Sequence, residues 1–374
     1  MPQLLPAAPV TIPSELAFAP VSRIINYQNK LHVFNSSNAT SVTTDNPQVL
    51  SVKINSNDWL NPKSSYFRFK QKITSSATTS KVATTKNSIA SCFKRISVLI
   101  DGRVVEDIRE YAVIHRMIMD CSVETGNRSN FSQGYSDTIT DRNQVTTTGS
   151  EVSNEIQFTL SCLSGILNSD KMLPLFAIPE IEIQVELNSA DEIIYDTTDT
   201  TDLVPTVTIS NFAYVADLNT MPGSYNKLVL DAINSVGLEF MVPSFDVHTF
   251  SLTTSQSYEL SIANNSKSVK AFYFFQRTSV NINDVDADYE FIEDSLDTSQ
   301  LRVGSDMYPL QAQQHAGGAQ SWEELAKSLT KDVFPGAKSQ YNITRAEYTG
   351  SASTKAYYGW DLEKFITSNS SSIF

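Results

Sequence analysis

Three acidic residues at alternate positions are the clearest candidate for metal chemistry in this sequence. Asp284, Asp286 and Asp288 match the opening of an EF-hand calcium loop, in which carboxylate oxygens bind the ion. That loop also needs a glycine at its sixth position and a bidentate glutamate at its twelfth, and these positions hold Tyr289 and Ser295. We therefore interpret the segment as an acidic loop, with a non-standard ion at a subunit contact as the open alternative.

The histidines and cysteines are spaced too widely to form a recognisable metal or nucleophile motif. No HExxH pair, CxxC pattern, GxSxG elbow or GxxxxGK[ST] loop occurs. The residues concerned are His32, His115, His248 and His315, and Cys92, Cys121 and Cys162. His115 and Cys121 are expected to be packed side chains of a helix. The sequence therefore predicts no catalytic residue, no cofactor and no metal ligand, and it favours a protein that is not an enzyme.

The tryptophans leave two interpretations open. Trp59, Trp322 and Trp360 could offer stacking platforms for sugars, or they could anchor a core or an interface, and we favour anchoring. The sugar-stacking interpretation supports an alternative function, a β-sandwich glycan-binding spike or adhesin-type surface protein. Such a protein would use Trp59 or Trp360 together with the long polar segment 122–153.

Composition limits the partners of the chain. It has 374 residues and a formal net charge of −13, which disfavours a broad electrostatic grip on nucleic acid. Only 18% of its residues are charged, below the roughly 25% of an average soluble protein. A polar but thinly charged surface favours a protein whose outside is largely covered by neighbours.

Targeting signals are not evident in the sequence. The start, Met1 to Pro20, lacks a basic region and is interrupted by prolines, so it does not resemble a secretory signal. No apolar run approaches the 18 or more residues of a spanning helix. The odd number of cysteines favours a reducing compartment.

The first half alternates between apolar and polar residues in the way that strands do. Residues 1–46 are rich in Pro, Ser, Thr and Asn and predict an N-terminal arm. Strands are predicted where apolar and polar residues alternate, most regularly over Ile181 to Leu187, with Val207 to Leu218 as the last strand. Asp101-Gly102 predicts a hairpin turn, and the apolar spacing after it predicts a helix over Val104 to Asp120. Residues 47–218 are thus predicted to form the first domain.

The second half, residues 219–374, repeats this order of elements without repeating the sequence. Helices are predicted at Ser224 to Asn234, ended by Gly237, and from Ser321, whose hydroxyl would form a capping box with Glu324. The predicted strands are Phe240 to Leu252, Ser257 to Ile262, Val269 to Arg277, Leu301 to Leu310, Gln340 to Tyr348 and Ala356 to Phe365. The chain is therefore predicted to be all-β with a few inserted helices.

The order of these elements resembles that of the double jelly-roll major capsid proteins of adenovirus-like, virophage and polinton-like viruses. The resemblance covers roughly residues 48–365 and includes the segments 163–175 (LSGILNSDKMLPL) and 302–310 (RVGSDMYPL). It implies two consecutive eight-stranded jelly rolls and a homotrimer of pseudo-hexagonal outline that tiles an icosahedral shell. Its implied partners are neighbouring capsomers, minor capsid and penton proteins, and an internal membrane where one is present, with no sequence-specific nucleic acid. The implied location is the virion, with assembly inside the host cell.

One departure from the family concerns the second roll, which lacks two or three strand candidates after residue 310. A compact variant, strand addition by another chain, or a sequence that continues past residue 374 would each explain it. We favour the last, because a roll without its final strands exposes sheet edges that aggregate.

Overall fold

The computed structural model of the chain describes the following residues, to which all structural statements refer. They are 28–44, 49–75, 81–86, 88–122, 129–130, 133–136, 144–147, 151–152, 155–196, 205–238, 242–252, 257–264, 268–278, 288–293, 296–329, 343–349 and 353–362.

Twenty strands and five α-helices are described in these ranges. The strands are β1 Gln28–Asn35, β2 Ser41–Thr43, β3 Val49–Ile54, β4 Trp59–Ser75, β5 Lys81–Thr85, β6 Phe93–Ile100, β7 Arg103–Arg109, β8 Ser129–Asn130, β9 Tyr135–Ser136, β10 Gln144–Thr147, β11 Glu151–Val152, β12 Ile156–Leu160, β13 Leu173–Pro174, β14 Ile181–Leu187, β15 Ile194–Asp196, β16 Pro205–Thr220, β17 Ala271–Phe275, β18 Thr298–Val303, β19 Asp306–Gln314 and β20 Tyr357–Asp361. The helices are α1 Tyr111–Ser122, α2 Ala190–Ile193, α3 Gly223–Val236, α4 Ala319–Ser328 and α5 Arg345–Tyr348, with 3₁₀ turns at Ile89–Cys92 and Leu175–Ala177.

The first half forms a sandwich with the strand order of a jelly roll. One sheet runs β1-β16-β4 with β12 beside β4, and the other runs β3-β14-β6-β7. Among these eight strands the first pairs with the last, the second with the seventh, the third with the sixth and the fourth with the fifth, all antiparallel. This nested pairing of a ribbon rolled on itself defines an eight-stranded jelly roll. The all-β class is therefore confirmed, and the first roll is complete.

Alternation of side chains explains why these sheets face each other. Along β14 every second residue from Ile181 to Leu187 is buried, and the intervening residues are partly exposed. Because successive side chains of a strand point to opposite faces, the apolar set of each strand enters one shared core. That core, the first core, includes Val52, Phe67, Phe93, Ile183 and Tyr214.

The turn at Asp101-Gly102 is confirmed, but the helix predicted to start at Val104 is wrong. Asp101 and Gly102 both have positive φ, 51° and 72°, as a tight type I′ hairpin turn requires. Residues 103–109 continue as β7, paired with β6, and α1 begins only at Tyr111. The helical spacing in the sequence spanned two elements, because the period-2 pattern of a short strand can coincide with a helical one.

Part of the predicted arm lies in the sandwich. Of residues 1–46, Gln28–Asn35 pairs along its whole length with β16, and Ser41–Thr43 pairs with the same strand. The sequence did not predict β1 as a full strand, because most of its side chains are exposed, Leu31 among them. Residues 1–27 lie outside the described residues.

The second half begins with α3, as predicted, and Gly237 ends the helix with φ 86°. The strands predicted at Phe240 to Leu252 and Ser257 to Ile262 are wrong where the structure describes them, because 242–252 and 257–262 belong to no strand. Val242, Phe245 and Val247 pack instead against the first core. Phe245 and Val247 alternate as in a strand, but a strand also needs a paired neighbour.

The strands described after residue 264 are few and antiparallel. β17 pairs with β20, which confirms strands within the predicted ranges 269–277 and 356–365. The strand predicted at Leu301 to Leu310 is instead a hairpin, β18 with β19, that turns at Gly304. The eight-stranded second roll, and the boundaries at 46 and 218, stay predictions.

The capping box predicted at Ser321 is also wrong. α4 starts at Ala319 after Gly318, and the Ser321 hydroxyl bonds to the ring of His315 instead. A capping box does occur at Thr344 and Glu347, within the region predicted as the strand 340–348, of which residues 340–342 lie outside the described residues. A four-residue helix is too short to leave a periodic signal.

Candidate interaction surfaces

Helix α1 joins the two halves, because its opposite sides enter different cores. Tyr111 and Ile114 belong to the first core. The second core combines α1 with the second half and consists of Ala112, Val113, Met117, Cys121, Tyr289, Phe291, Leu325, Ile343, Tyr348 and Tyr357. A helix that is apolar on nearly all sides is typical of burial on both faces. That signal was present in the sequence of α1.

A buried charge cluster ties the same helix to the last described strand. The Asp120 carboxylate lies 2.7 Å from the Arg116 guanidinium and 3.9 Å from the Lys355 ammonium, and it accepts a 2.6 Å hydrogen bond from the Tyr357 hydroxyl. Lys355 also pairs with Glu347 at 2.9 Å. Because the side chain of Asp120 is fully buried, this carboxylate depends on these partners to offset its lost hydration.

The pKa of Glu347 is set by the same cluster. Burial raises the pKa of this carboxyl, but the Thr344 amide hydrogen bond and the Lys355 ammonium together lower it to about 2. Glu347 therefore stays ionised at any physiological pH and keeps its charge opposite Lys355.

The residues singled out by the sequence do not converge on a reactive centre. His115 is buried in α1, where burial and the nearby Arg116 charge lower its pKa to about 4, against a hydrogen bond with Gln133. His32 and His248 lie at the surface. In the described part of the chain, no three metal-binding side chains cluster; Asp288 lies there, whereas Asp284 and Asp286 lie outside.

The cysteine thiols are buried and protonated. None of the three is in a disulfide, and burial raises the pKa of Cys92 and of Cys162 to about 12 and that of Cys121 further. The thiolate is the nucleophilic form of cysteine, so none of these side chains is activated.

His315 has the most chemically suggestive contacts of the second half. Its two ring nitrogens lie 2.6 Å from the hydroxyl oxygens of Ser299 and Ser321, and burial lowers its pKa to about 4. Ser321 and His315 are almost fully buried, and the ring packs edge-on against Tyr358. Because both side chains are buried, a substrate could not reach the Ser321 hydroxyl in this conformation. The arrangement instead links hairpin β18–β19 to α4.

The tryptophans serve mainly as anchors. Trp360 is buried and stacks on Phe272 and Phe274, and Trp322 packs edge-on against Tyr348. Trp59 is half-buried, and its indole N–H donates to the Asn226 side chain at 2.9 Å.

Exposed apolar side chains occur on several elements, and helix α3 and hairpin β18–β19 each carry a group of them. Helix α3 exposes Tyr225, Leu228 and Leu230, of which Leu228 is 66% exposed. Hairpin β18–β19 exposes Met307 and Leu310, beside a groove of about 500 Å³. Large contiguous apolar patches often mark contacts with other molecules, whereas single exposed apolar residues are normal. Sequence analysis missed them, because a stripe of apolar residues does not reveal what covers it.

A membrane-crossing helix is not found: within the described ranges, no helix is both long and apolar enough to span a bilayer.

Comparison with known proteins finds similarity in solved structures alone. No family model matches the chain, and no curated protein matches it. The Faustovirus major capsid protein is similar at 8% identity over 58% of this chain and 58% of its own, with a TM-score of 0.39. A Sputnik virophage structure matches at 11% identity over 59% and 53%, with a TM-score of 0.38. The mavirus major capsid protein matches at 8% over 60% and 54%, with a TM-score of 0.35. The chain spans less than two thirds of the length of each.

Proposed function

We propose that this chain is a major capsid protein, a non-enzymatic building block that assembles as a homotrimer into an icosahedral virus shell. The observation that carries the proposal is the complete jelly roll formed by β1, β3, β4, β6, β7, β12, β14 and β16. Jelly rolls build viral capsids, lectins and cupins. The order of elements in the sequence, which resembles double jelly-roll capsid proteins, supports the capsid among these three.

The inside of the sandwich supports a structural role over a cupin-like one. The first core is filled by aliphatic and aromatic side chains such as Phe69, Ile96 and Leu160, each fully buried. A metal-binding cupin needs metal ligands within its barrel, and in the described residues no such set lines this one. A densely packed interior makes the sandwich rigid, and a virus shell needs rigid subunits.

The low fraction of charged residues in the chain also supports assembly. Interfaces between subunits are depleted in charged residues at their centres, and 18% is a low charged fraction. In the proposed shell the second half, 219–374, supplies the second roll, and neighbouring capsomers, minor capsid and penton proteins are the partners. An internal membrane beneath the shell belongs to the same proposal.

Sedimentation of the purified chain at neutral pH tests this function. We expect a trimer whose fraction rises with protein concentration, and images of that particle with a hexagonal base. A chain that stays monomeric at the highest soluble concentration contradicts the proposal.

The glycan-binding alternative has one observation in its favour. The rings of Trp59 and Tyr225 lie at the surface 5.9 Å apart, a pair on which a sugar could stack. A glycan array distinguishes the two functions. Binding by a non-assembling protein that Trp59→Ala abolishes, and that Trp322→Ala retains, would favour the alternative.

A further inference from the structure

Helix α3 carries an apolar stripe that the described residues cover on one side only. Tyr225, Leu228, Val229, Ala232 and Ile233 recur at the spacing of one helical face. Val229 and Ile233 are partly buried, whereas Tyr225 is 49% exposed and Leu228 66% exposed. A 14-residue helix is only marginally stable in water without burial of its apolar face. The exposed part of the stripe therefore indicates a contact that the described residues do not provide.

The stripe continues onto the rim of the first sandwich. Trp59 contacts the ring of Tyr225 at 5.9 Å and that of Phe176 at 5.4 Å. Met172 lies nearby, 39% exposed, with its sulfur 3.8 Å from the Asn219 amide. The apolar surface is thus held by both the helix and the rigid sandwich, so it is pre-organised for a partner.

The charges of α3 and of the whole chain limit which partner could cover this apolar surface. The charged residues of α3 are Lys227 and Asp231, which cancel, within a chain of net charge −13. Copies of so acidic a chain repel each other, and a neutral apolar surface is where they can meet at least electrostatic cost. Helices that lie on membranes carry many basic residues on their polar face, whereas α3 carries a single lysine.

The chain before β1 is the alternative occupant, because Gln28 pairs with Thr220 next to the start of α3. Prolines at 2, 6, 9, 13 and 20 divide residues 1–20 into short pieces. Because proline inside a helix removes a backbone hydrogen bond, this sequence disfavours residues 1–20 as a helix that matches the 14-residue α3.

We propose that the exposed face of α3, formed by Tyr225, Leu228 and Ala232, is the docking surface for a second copy of this chain. The inference rests on the proposed function and adds to it the surface through which copies meet. In a three-fold ring the contact is heterologous, so the face meets a different surface of the next copy.

Site-specific thiol labelling of the full chain tests this surface. The three native cysteines are buried, so Leu228→Cys introduces one accessible thiol, and Asn234→Cys places the control thiol about 120° around the same helix, on another side. We expect labelling at position 228 to slow by about tenfold or more between dilute and concentrated protein, because a packed interface excludes the reagent. Labelling at position 234 should not change.

A second pair of variants measures the energetic contribution of the face. Leu228→Glu should raise the protein concentration at half assembly by about tenfold or more, and Asn234→Glu should leave it unchanged. Both side chains are exposed in the single chain, so neither variant threatens folding.

Each other outcome overturns the inference in a recognisable way. Protection of position 228 at every concentration would assign the face to the chain's own residues. Protection that needs added anionic vesicles would assign it to a membrane. Assembly without protection would leave the proposed function standing and refute this surface, whereas no assembly at any concentration would refute the proposed function itself.

Discussion

At the scale of single residues, several titratable side chains are buried, His115 among them. His115 lies within 3.4 Å of the Ser88 hydroxyl, stacks beside Tyr111 and is sealed from water in α1. Burial rather than any catalytic partner dominates its pKa. The consequence is a dependence of stability on pH rather than a reactive centre.

The buried histidine predicts a loss of stability in mild acid. The pKa of His115 is about 4 in the folded chain, against about 6.5 in an unfolded one. Between these values the unfolded state binds a proton that the folded state refuses, so stability is complete above about pH 6.5 and falls as the pH drops towards 4. His115→Gln should therefore flatten the decline of the unfolding free energy, by up to about 1.4 kcal/mol per pH unit.

Urea unfolding measured from pH 7 to pH 4.5 checks this prediction. His248→Gln is the matched control, because His248 lies at the surface. An unchanged slope in the His115 variant would show that its ring is not kept neutral by the fold.

At the scale of elements, the β6–β7 hairpin shows what local sequence decides. Its two turn residues both have positive φ, a conformation that Asp tolerates and that Gly adopts without strain. This turn determines the register of two strands in the first core.

Gly102→Ala should lower the unfolding free energy by about 1 kcal/mol, because a side chain at positive φ is strained even in open space. Gly223→Ala is the control, because position 223 is equally open, starts α3 and has no positive φ. The unfolding free energy of this variant should stay the same or rise slightly. Thermal unfolding of both variants makes the comparison. Equal effects would mean that the turn is not strained by a side chain.

Elements with a strong local signal were predictable from the sequence, and those decided by tertiary contacts were not. The alternation of β14 and the turn at residues 101–102 are local, and both were predicted. The start of α1 and the packing of 242–247 depend on distant residues, whereas the hairpin around Gly304-Ser305 is local and its turn signal was missed. Gly165 illustrates this dependence, since a Cβ there would lie 1.9 Å from the Pro243 carbonyl oxygen.

The candidate surface was less predictable than the fold. The sequence of α3 correctly predicted a helix, but the exposure of Leu228 follows from how the helix meets the rim at Trp59. Exposure is a property of the folded chain, and an amphipathic pattern predicts a buried face without naming its cover.

At the scale of the whole molecule, the Asp120 cluster holds the two halves together. It joins α1 of the first half to Lys355 and Tyr357 of the second. Removing one member of a buried ionic cluster leaves the others charged and without compensation.

Asp120→Ala should therefore destabilise the chain by about 3 to 5 kcal/mol. Asp170→Ala, which breaks the exposed pair between Asp170 and Lys63, should cost less than about 1 kcal/mol. Urea unfolding followed by tryptophan fluorescence reports both variants. Similar small effects would indicate that the halves are held by apolar contacts alone.

The shared helix also imposes an order on synthesis. Residues 28–220 leave the ribosome first and contain every strand of the first roll. Until Tyr289 and later residues emerge, on the order of 10 s afterwards, the outer side of α1 has none of its second-half partners. The newly made first roll is thus complete but exposes the apolar side of α1 that belongs to the second core. We expect the second half to pack onto that side of α1 as it is translated.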